Sequence, residues 1–344
     1  MKTVMISGKR ECKVIEKPIP NIKEGFVLIK VHVAPMCNEY NAYENGFYQD
    51  RNKFDSLGHE IAGEVVKTAG ESKFKVGDRV VALPGFPCGT CYICDSGAYA
   101  HCDDVINPLE ACDSTSGECG FAEYAIKAEW LTIPIPNDMS YEHASMACCG
   151  LGSTFTSLQK MAVKANSTIL ITGLGAVGLG GVLNAKHLNL RVIGVSRSRY
   201  RRELARDLGC DHVLNPENDN LKSHIFQITN GLGVDYAIEC SAQAHYQRLA
   251  LDVIKKLGSL TFLGESGDLM INVDKDIIQK GLNLYGTLDL YLNHVPEMMK
   301  LIANASNDID KFITHTFSLR EIKQAWELQI KRTCGKILLY PNRK

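Results

Sequence analysis

The chain has 344 residues, a length that indicates two domains or one large one. Its 45% hydrophobic and 22% charged residues are typical of a soluble globular protein, and its net charge of −1, from 38 basic and 39 acidic side chains, excludes the bulk basic field of a nucleic-acid-binding protein. The sequence has no apolar run of the roughly 18–20 residues that span a bilayer and no signal-peptide core, so we expect a cytosolic protein without a membrane partner.

The predicted elements divide the chain into three parts. Residues 1–150 are predicted to be β-rich, because short alternating apolar runs such as 27–33 are separated by turns that contain glycine. From about residue 151, strands alternate with helices, which predicts a doubly wound parallel sheet. The strands are predicted at 168–172, 192–195, 234–239 and 260–264, and the helices after Gly178, at 202–208 and at 247–256. The tail is predicted to contain helices at 294–303 and 319–327 and a final strand at 336–340.

Thirteen cysteines are a high count, and clustered cysteines in a reducing compartment favour metal binding over disulfides. Four of them follow the spacing Cys88-x2-Cys91-x2-Cys94-x7-Cys102. Four thiolates so close together can enclose one tetrahedral zinc and leave no open position, so this site would stabilise a loop without catalysing a reaction. An iron–sulfur cluster uses the same ligand set and is the alternative, with a chance cluster of surface cysteines as a third interpretation.

A second metal site would have to be assembled from separate segments of the chain. Cys37, His59 and Cys149 offer two thiolates and an imidazole, a set that leaves the fourth zinc position open, as catalysis requires. Taken singly, a cysteine is more often a small buried side chain and a histidine more often a hydrogen-bonded polar one. Cys148 adjoins Cys149 and is an alternative ligand.

A glycine-rich loop follows the strand predicted at 168–172. Its sequence, Gly173-Leu174-Gly175-Ala176-Val177-Gly178, opens a helix. In a dinucleotide-binding loop the first glycine allows a tight turn, the second lets the pyrophosphate approach the backbone, and the third lets helix and strand pack closely. We therefore predict that this loop binds a dinucleotide, the alternative being an ordinary glycine-rich turn.

The residues after the next strand indicate which dinucleotide is bound. An acidic residue there would hold the ribose hydroxyls of NAD, but this chain has Ser196 and Arg197, with Arg201 nearby. No carboxylate repels a 2′-phosphate at this position, and guanidinium groups can bind one. The segment therefore predicts a preference for NADP(H) over NAD(H), the alternative being that these arginines only form a solvated helix start.

Several motifs in order resemble the zinc-containing medium-chain alcohol dehydrogenase family over essentially the whole chain. The matching segments are residues 58–65, 75–80 and 120–124, Cys149-Gly150 before Ser153-Thr154, and the loop at 173–178. The resemblance implies an α/β fold with a GroES-like β-barrel catalytic domain at 1–150, completed by 288–344, and a Rossmann domain with a doubly wound parallel sheet at 151–287. It also implies two zinc ions per subunit and a homodimer or homotetramer.

The same resemblance implies a reaction. Cys37, His59 and Cys149, the last in preference to Cys148, would bind a zinc that acts as a Lewis acid on a small alcohol or carbonyl substrate, and hydride would pass between the alcohol and the nicotinamide. The protein would then be a zinc-dependent alcohol or polyol dehydrogenase. An NADPH-dependent carbonyl reductase and a non-catalytic dinucleotide-binding regulatory protein are the alternatives.

One segment departs from the family pattern. After the first zinc cysteine the family carries a Ser or Thr two residues on and an Asp three residues on, and this chain has Glu39 and Tyr40. We hypothesise that Glu39 acts as the general base for the alcohol proton, the alternative being that it points to solvent. Glu39 or Glu60 could also enter the zinc shell. A carboxylate and a phenol beside the zinc favour polar substrates such as polyols or sugars.

Overall fold

The computed structural model describes residues 1–46, 57–217, 220–265 and 268–343. Their contacts divide the chain into a first unit of residues 1–150, 290–306 and 313–344, and a second of 151–289 and 307–312. The sequence predicts that all of 288–344 belongs to the first domain, whereas residues 288–289 and 307–312 lie in the second unit. Ile309 and Phe312 lie one helical turn apart and are fully buried, which fits a short helical segment that packs with the second unit.

The strands of the described residues are β1 (Lys2–Gly8), β2 (Glu11–Glu16), β3 (Phe26–Pro35), β4 (Ile61–Lys67), β5 (Arg79–Ala82), β6 (Tyr124–Ala128), β7 (Thr132–Pro134), β8 (Thr168–Thr172), β9 (Arg191–Val195), β10 (His212–Leu214), β11 (Val234–Glu239), β12 (Ile254–Phe262), β13 (Asn283–Gly286), β14 (Ile313–Ser318) and β15 (Lys336–Tyr340).

The α-helices are α1 (Tyr40–Asn45), α2 (Tyr92–Asp95), α3 (Pro108–Ala111), α4 (Tyr141–Ser145), α5 (Gly152–Lys160), α6 (Ala176–His187), α7 (Arg199–Asp207), α8 (Leu221–Ile228), α9 (Ala244–Val253), α10 (Val295–Asn304), α11 (Ser306–Phe312) and α12 (Ile322–Lys331). Short 3-10 turns lie at Tyr99–His101, Glu129–Leu131, Leu292–His294 and Leu319–Glu321, and a π-helical turn at Val273–Ile278. None of these helices is long and apolar enough to cross a bilayer.

The long strand β3 organises the first unit. It pairs antiparallel with β4 and β6, and its last residues pair with β15, in a sheet of order β14-β15-β3-β4-β5-β7 with β6 on β3. Its alternate residues Val27, Ile29 and Val31 are fully buried in one apolar cluster with Trp326 of α12. Because β3 and β4 are antiparallel, the end of β3 and the start of β4 meet at one edge, where Val33 pairs with Ala62.

A six-stranded parallel sheet forms the second unit. Its order is β10-β9-β8-β11-β12-β13, and each strand pairs in parallel with its neighbour. The chain order reverses between β8 and β11, and in such sheets this reversal creates the crevice that binds ligands. The doubly wound sheet predicted from the alternating pattern is therefore confirmed, with the glycine-rich loop directly after β8.

The helix predicted at 247–256 ends earlier than expected. The helix expected at 247–256 is α9, which ends at Val253, because Ile254 pairs with Val234 in the sheet and starts β12. The run predicted as a strand at 260–264 thus contains the second half of a longer strand. The apolar residues around position 254 fit a buried helix and a buried strand equally well, and sheet pairing decides between them.

Candidate active site and cofactor loop

The four clustered cysteines converge around α2. Cys91 precedes the helix, Cys94 lies in it, and Cys88 and Cys102 lie on the flanking segments. Four of the Sγ–Sγ distances are 3.6, 3.6, 3.7 and 4.0 Å. A tetrahedron with Zn–S bonds of about 2.3 Å has edges of about 3.8 Å. The four sulfur atoms therefore already stand at the spacing that one zinc requires.

A second cluster lies where β3 ends and β4 begins. Potential ligand atoms of Cys37, His59, Glu60 and Cys149 all lie within 4.8 Å of one another. Cys37 follows β3, His59 and Glu60 precede β4, and Cys149 follows α4. The antiparallel pairing of β3 with β4 thus brings together ligands that are 22 residues apart in sequence. All seven cysteine and histidine ligands predicted from the sequence fall in one of the two clusters.

The ring of His59 has the orientation expected of a metal ligand. Its Nε2 lies 3.1 Å from Sγ of Cys149, and its Nδ1 lies 2.8 Å from Oε1 of Glu39. A histidine that binds a metal through one nitrogen usually gives its other N–H to a carboxylate or carbonyl, which fixes the tautomer. Nε2 of His59 therefore faces the metal position.

Glu39 contacts ligand residues and is 2% exposed. Its Oε2 accepts a hydrogen bond of 3.0 Å from the backbone N–H of Cys37. Burial opposes its ionisation, but the charge of His59 and a hydrogen bond from its ring lower the pKa of Glu39 to about 2. The side chain therefore does not point to solvent, and it lies beside the predicted ligands.

Glu60 forms a buried ion pair with Lys336, whose Nζ lies 2.6 Å from Oε1 of Glu60. The other carboxylate oxygen, Oε2, is buried without a hydrogen-bond partner. Burial raises the pKa of Glu60 to about 7, although the positive charge of Lys336 opposes the shift. A buried carboxylate oxygen with no partner, next to two thiols and an imidazole, fits a site that binds a cation.

The surroundings of Cys37 lower the pKa of its thiol, and its backbone is anchored by a side chain. Hydrogen bonds from Cys149 and His59, and then the charges of Lys336 and His59, keep the pKa of the Cys37 thiol well below its usual range, although burial opposes this shift. Its carbonyl oxygen accepts a hydrogen bond of 2.9 Å from the side-chain amide of Gln329. Two soft cysteine sulfurs and an oriented imidazole fit zinc, and they would supply three ligands of a tetrahedral ion.

The three glycines of the loop after β8 have distinct environments. Gly173 has φ +84°, and a Cβ there would lie 2.7 Å from Ser241. A Cβ on Gly178 would lie 2.1 Å from the carbonyl oxygen of Gly173, so helix α6 and the loop can pack only around glycine. A Cβ on Gly175 would meet nothing closer than Nη1 of Arg201, at 4.0 Å. The open space at Gly175 lies at the N-terminus of α6, which Ala176 and Val177 begin and which favours phosphate.

The residues predicted to discriminate NADP(H) from NAD(H) follow β9. Ser196 accepts a hydrogen bond from the backbone N–H of Ser198, which caps α7. Arg197 is exposed, and Arg201 extends to the glycine-rich loop. Two neighbouring arginines have other partners, since Arg202 donates to the carbonyls of residues 196 and 197 and Arg199 pairs with Glu203.

Two protein families match the chain in this order. Residues 23–137 match the alcohol dehydrogenase GroES-like domain, and residues 176–304 match the zinc-binding dehydrogenase domain. Sorbitol dehydrogenase of Bacillus subtilis is 32% identical over 100% of this chain and 98% of its own length. The chain belongs to the zinc-dependent alcohol dehydrogenase family. It is a zinc-dependent oxidoreductase of alcohols or polyols that uses a nicotinamide cofactor, and the non-catalytic alternative is not favoured.

A second relative supports the same assignment, and a solved structure supports the fold. L-threonine 3-dehydrogenase of Pyrococcus abyssi is 31% identical over 98% of this chain and 97% of its own length. The alcohol dehydrogenase TADH of Thermus sp. ATN1 has the same fold, with a TM-score of 0.89, 22% identity and 99% coverage of both chains. The GroES-like and Rossmann architecture expected from the resemblance is thereby confirmed.

Sequence reasoning missed two residues of this site. Lys336 and Gln329 lie 276 and 292 residues from their partners Glu60 and Cys37. Neither belongs to a motif, and a lysine that begins a strand or a glutamine in a helix carries no signal of its own. Only the pairing of β15 with β3 and the packing of α12 bring them to the metal site.

Proposed function

We propose that the protein is an NADP(H)-preferring dehydrogenase of a small polar alcohol, with a catalytic zinc bound by Cys37, His59 and Cys149 and a structural zinc bound by Cys88, Cys91, Cys94 and Cys102. The supporting observation is the ring of His59, which stands between the carboxylate of Glu39 and the thiol of Cys149. Zinc bound there would supply a Lewis acid that lowers the pKa of an alcohol.

The protein's own residues give this site its selectivity for a cation. Two thiolates and the buried carboxylate of Glu60 supply negative charge, and Lys336 balances part of it. Glu60 lies close enough to become a fourth ligand when no substrate occupies that position. Because Glu39 contacts His59 and Cys37, we assign it to the orientation of these ligands in place of the general-base role suggested by the sequence.

The cofactor preference is argued from the segment after β9. Ser196 stands where an acidic residue would bind the ribose hydroxyls of NAD, so a 2′-phosphate meets no carboxylate there. Arg201 reaches the loop that approaches the pyrophosphate, and Arg197 is exposed next to Ser196. These guanidinium groups can bind a phosphate through charge-assisted hydrogen bonds, which supports NADP(H).

The substrate is argued from the relatives and from the charge at the site. Two relatives are named as enzymes that act on sorbitol and on L-threonine at carbon 3, both of them small and polar compounds. Charged side chains surround the metal position, and such a site favours a substrate with several polar groups over a long apolar alcohol. We therefore propose a polyol, sugar alcohol or hydroxy amino acid.

Metal content and turnover test this proposal together. Zinc per chain is measured in the purified protein, which is then assayed with polyols, hydroxy amino acids and simple alcohols, each with NADP and NAD. Two zinc ions per chain and oxidation of a polar alcohol with NADP are expected. One zinc per chain, with no turnover of any alcohol, would refute the proposal, because the four-cysteine site alone would then bind metal.

Assembly and location are further parts of the proposal. We propose a homodimer or homotetramer, as the family resemblance implies, and a cytosolic location, which suits a protein whose thirteen cysteines form no disulfide. Light scattering coupled to size-exclusion chromatography measures the mass of the assembly. A mass equal to one chain would contradict the proposed oligomer.

A further inference from the structure

The backbone of the metal ligand Cys37 is held on both sides by buried side chains. Its N–H donates to Oε2 of Glu39 at 3.0 Å, and its carbonyl oxygen accepts from Nε2 of Gln329 at 2.9 Å. Cys37 lies just beyond the end of β3, so the strand's own pairing no longer fixes its backbone there. Two side-chain hydrogen bonds take the place of that pairing.

Glu39 connects two ligands through one carboxylate. While Oε2 holds the backbone of Cys37, Oε1 stands 2.8 Å from Nδ1 of His59. At 2% exposure the side chain has little freedom to turn to other partners. Its position thus fixes the distance between the ligand that follows β3 and the ligand that precedes β4.

Gln329 connects Cys37 to helix α12. It lies on α12, whose Trp326 stacks on Tyr43 with the ring centres 4.7 Å apart. Gln329 is 6% exposed, and its Oε1 is buried without a hydrogen-bond partner. Leaving that acceptor unpaired has a cost in stability, which the bond to Cys37 offsets only in part.

We propose that Glu39 and Gln329 are positioning residues that together set the geometry of the catalytic metal site through Cys37. The proposal rests on the proposed function for the identity of the metal, and neither residue touches the reacting atoms. Removal of either contact lets the Cys37 thiolate move relative to His59 and Cys149. Such movement changes both the affinity for the metal and the ligand field at the metal.

The test compares Glu39→Gln and Gln329→Met with the control Glu327→Gln. Glu327 lies on α12 two residues before Gln329, and it pairs with Arg10 and Tyr43 away from the metal ligands. The control thus makes the same chemical change as Glu39→Gln, and it lies on the same helix as Gln329→Met. Each full-length protein is examined for zinc release to a chelator, for the absorption spectrum after cobalt replaces the readily exchanged zinc, and for kcat and KM.

Glu39→Gln is expected to weaken zinc affinity at this site about 10–100-fold, the usual effect of removing a carboxylate that orients a metal-binding histidine. Gln329→Met is expected to weaken it roughly 2–10-fold, as the loss of one neutral hydrogen bond implies. Both variants should shift the thiolate-to-cobalt and d–d bands and lower kcat more than they raise KM. Glu327→Gln should leave zinc release and the cobalt spectrum unchanged.

Unchanged zinc release and cobalt spectra in both variants would overturn the inference, even if their melting temperatures fell, because the residues would then only stabilise the fold. An equal change in zinc release and cobalt spectrum in Glu327→Gln and in Gln329→Met would also overturn the inference. Any substitution in α12 would then disturb the metal site, and the contact of Gln329 with Cys37 would not be specific. Failure of the proposed function can be distinguished from failure of this inference. In the first case the unmodified protein itself would bind no zinc at this site, so the variants could show no further loss of zinc affinity.

Discussion

Nζ of Lys336 lies 2.6 Å from Oε1 of Glu60, and both side chains are completely buried although 276 residues separate them. Coulombic attraction from Glu60 and from the thiolates of Cys37 and Cys149 raises the pKa of Lys336, although burial opposes the charged form. The ammonium group of Lys336 therefore balances part of the negative charge of the ligand cluster around Cys37. It also links the first residue of β15 to the residue before β4.

Lys336→Met is expected to destabilise the fold by about 1–3 kcal/mol at neutral pH, because Glu60 loses its partner and becomes a protonated, buried carboxyl group. Denaturant unfolding at neutral pH measures the change. The double variant Lys336→Met with Glu60→Gln should recover most of the loss, since it removes both charges. If the single variant were as stable as the unmodified protein, the ion pair would have no part in balancing the site.

A strained alanine follows β11. Ala242 has φ +57°, a left-handed conformation that costs an ordinary residue roughly 1–2 kcal/mol and glycine almost nothing. We expect Ala242→Gly to raise the free energy of unfolding by about 0.5–1 kcal/mol, the released strain being partly offset by the greater freedom of glycine in the unfolded chain.

The control for this prediction is Ala303→Gly, at an exposed position inside α10 with ordinary helical geometry. That substitution should lower stability by about 0.5–1 kcal/mol. Both changes are measured by denaturant unfolding of the metal-loaded protein. Destabilisation by both substitutions would show that the positive φ at Ala242 stores no strain.

The loop glycines provide a prediction that separates folding from binding. Gly178→Ala should lower stability by about 1–3 kcal/mol, because its Cβ would stand 2.1 Å from the carbonyl oxygen of Gly173. Gly175→Val should fold normally, since open space surrounds that position, but should weaken NADPH binding about tenfold or more by occupying the approach of the pyrophosphate. Unfolding curves and fluorescence titration with NADPH measure the two effects. Equal NADPH affinity in Gly175→Val and the unmodified protein would contradict the assignment of this loop.

The sequence predicts local features of this protein well and distant ones poorly. The strands at 168–172, 234–239 and 336–340 have the predicted bounds, because each is a short buried run next to a clear turn or helix signal. The four-cysteine cluster could be predicted from spacing alone, since all its ligands lie within the short segment 88–102. The ligands of the second cluster are brought together by the pairing of β3 with β4, so their spacing in the sequence does not predict a shared site. Only the family resemblance indicated that they form one.

The side chains around those ligands could not be predicted from the sequence. The sequence leaves open whether Glu39 acts as a base, enters the zinc shell or points to solvent, because it gives the distance along the chain from Cys37 but not the direction of a side chain. The contact of Glu39 with His59 follows from the turn between β3 and α1. Residues 307–312 likewise carry an ordinary amphipathic pattern, and nothing in that pattern tells which of two cores will bury Ile309 and Phe312.

The last prediction concerns the choice between the two cofactors. Arg201→Ala should weaken NADPH binding about tenfold or more, because it removes a guanidinium group that can bind the 2′-phosphate, and should weaken NADH binding less, because NADH lacks that phosphate. Ser196→Asp should shift the preference towards NADH, since its carboxylate repels the 2′-phosphate and accepts hydrogen bonds from the ribose hydroxyls.

The matched control is Arg199→Ala, which removes an equal charge from the same helix at a position where the guanidinium already pairs with Glu203. Affinities for NADPH and NADH are measured for each variant by fluorescence titration at one ionic strength, because these contacts are screened by salt. A loss of NADPH affinity in Arg199→Ala as large as in Arg201→Ala would mean that the positive charge of α7 acts as a whole. In that case the specific contact with Arg201 would be refuted, and the preference for NADP(H) would depend on the general field of the arginine-rich segment.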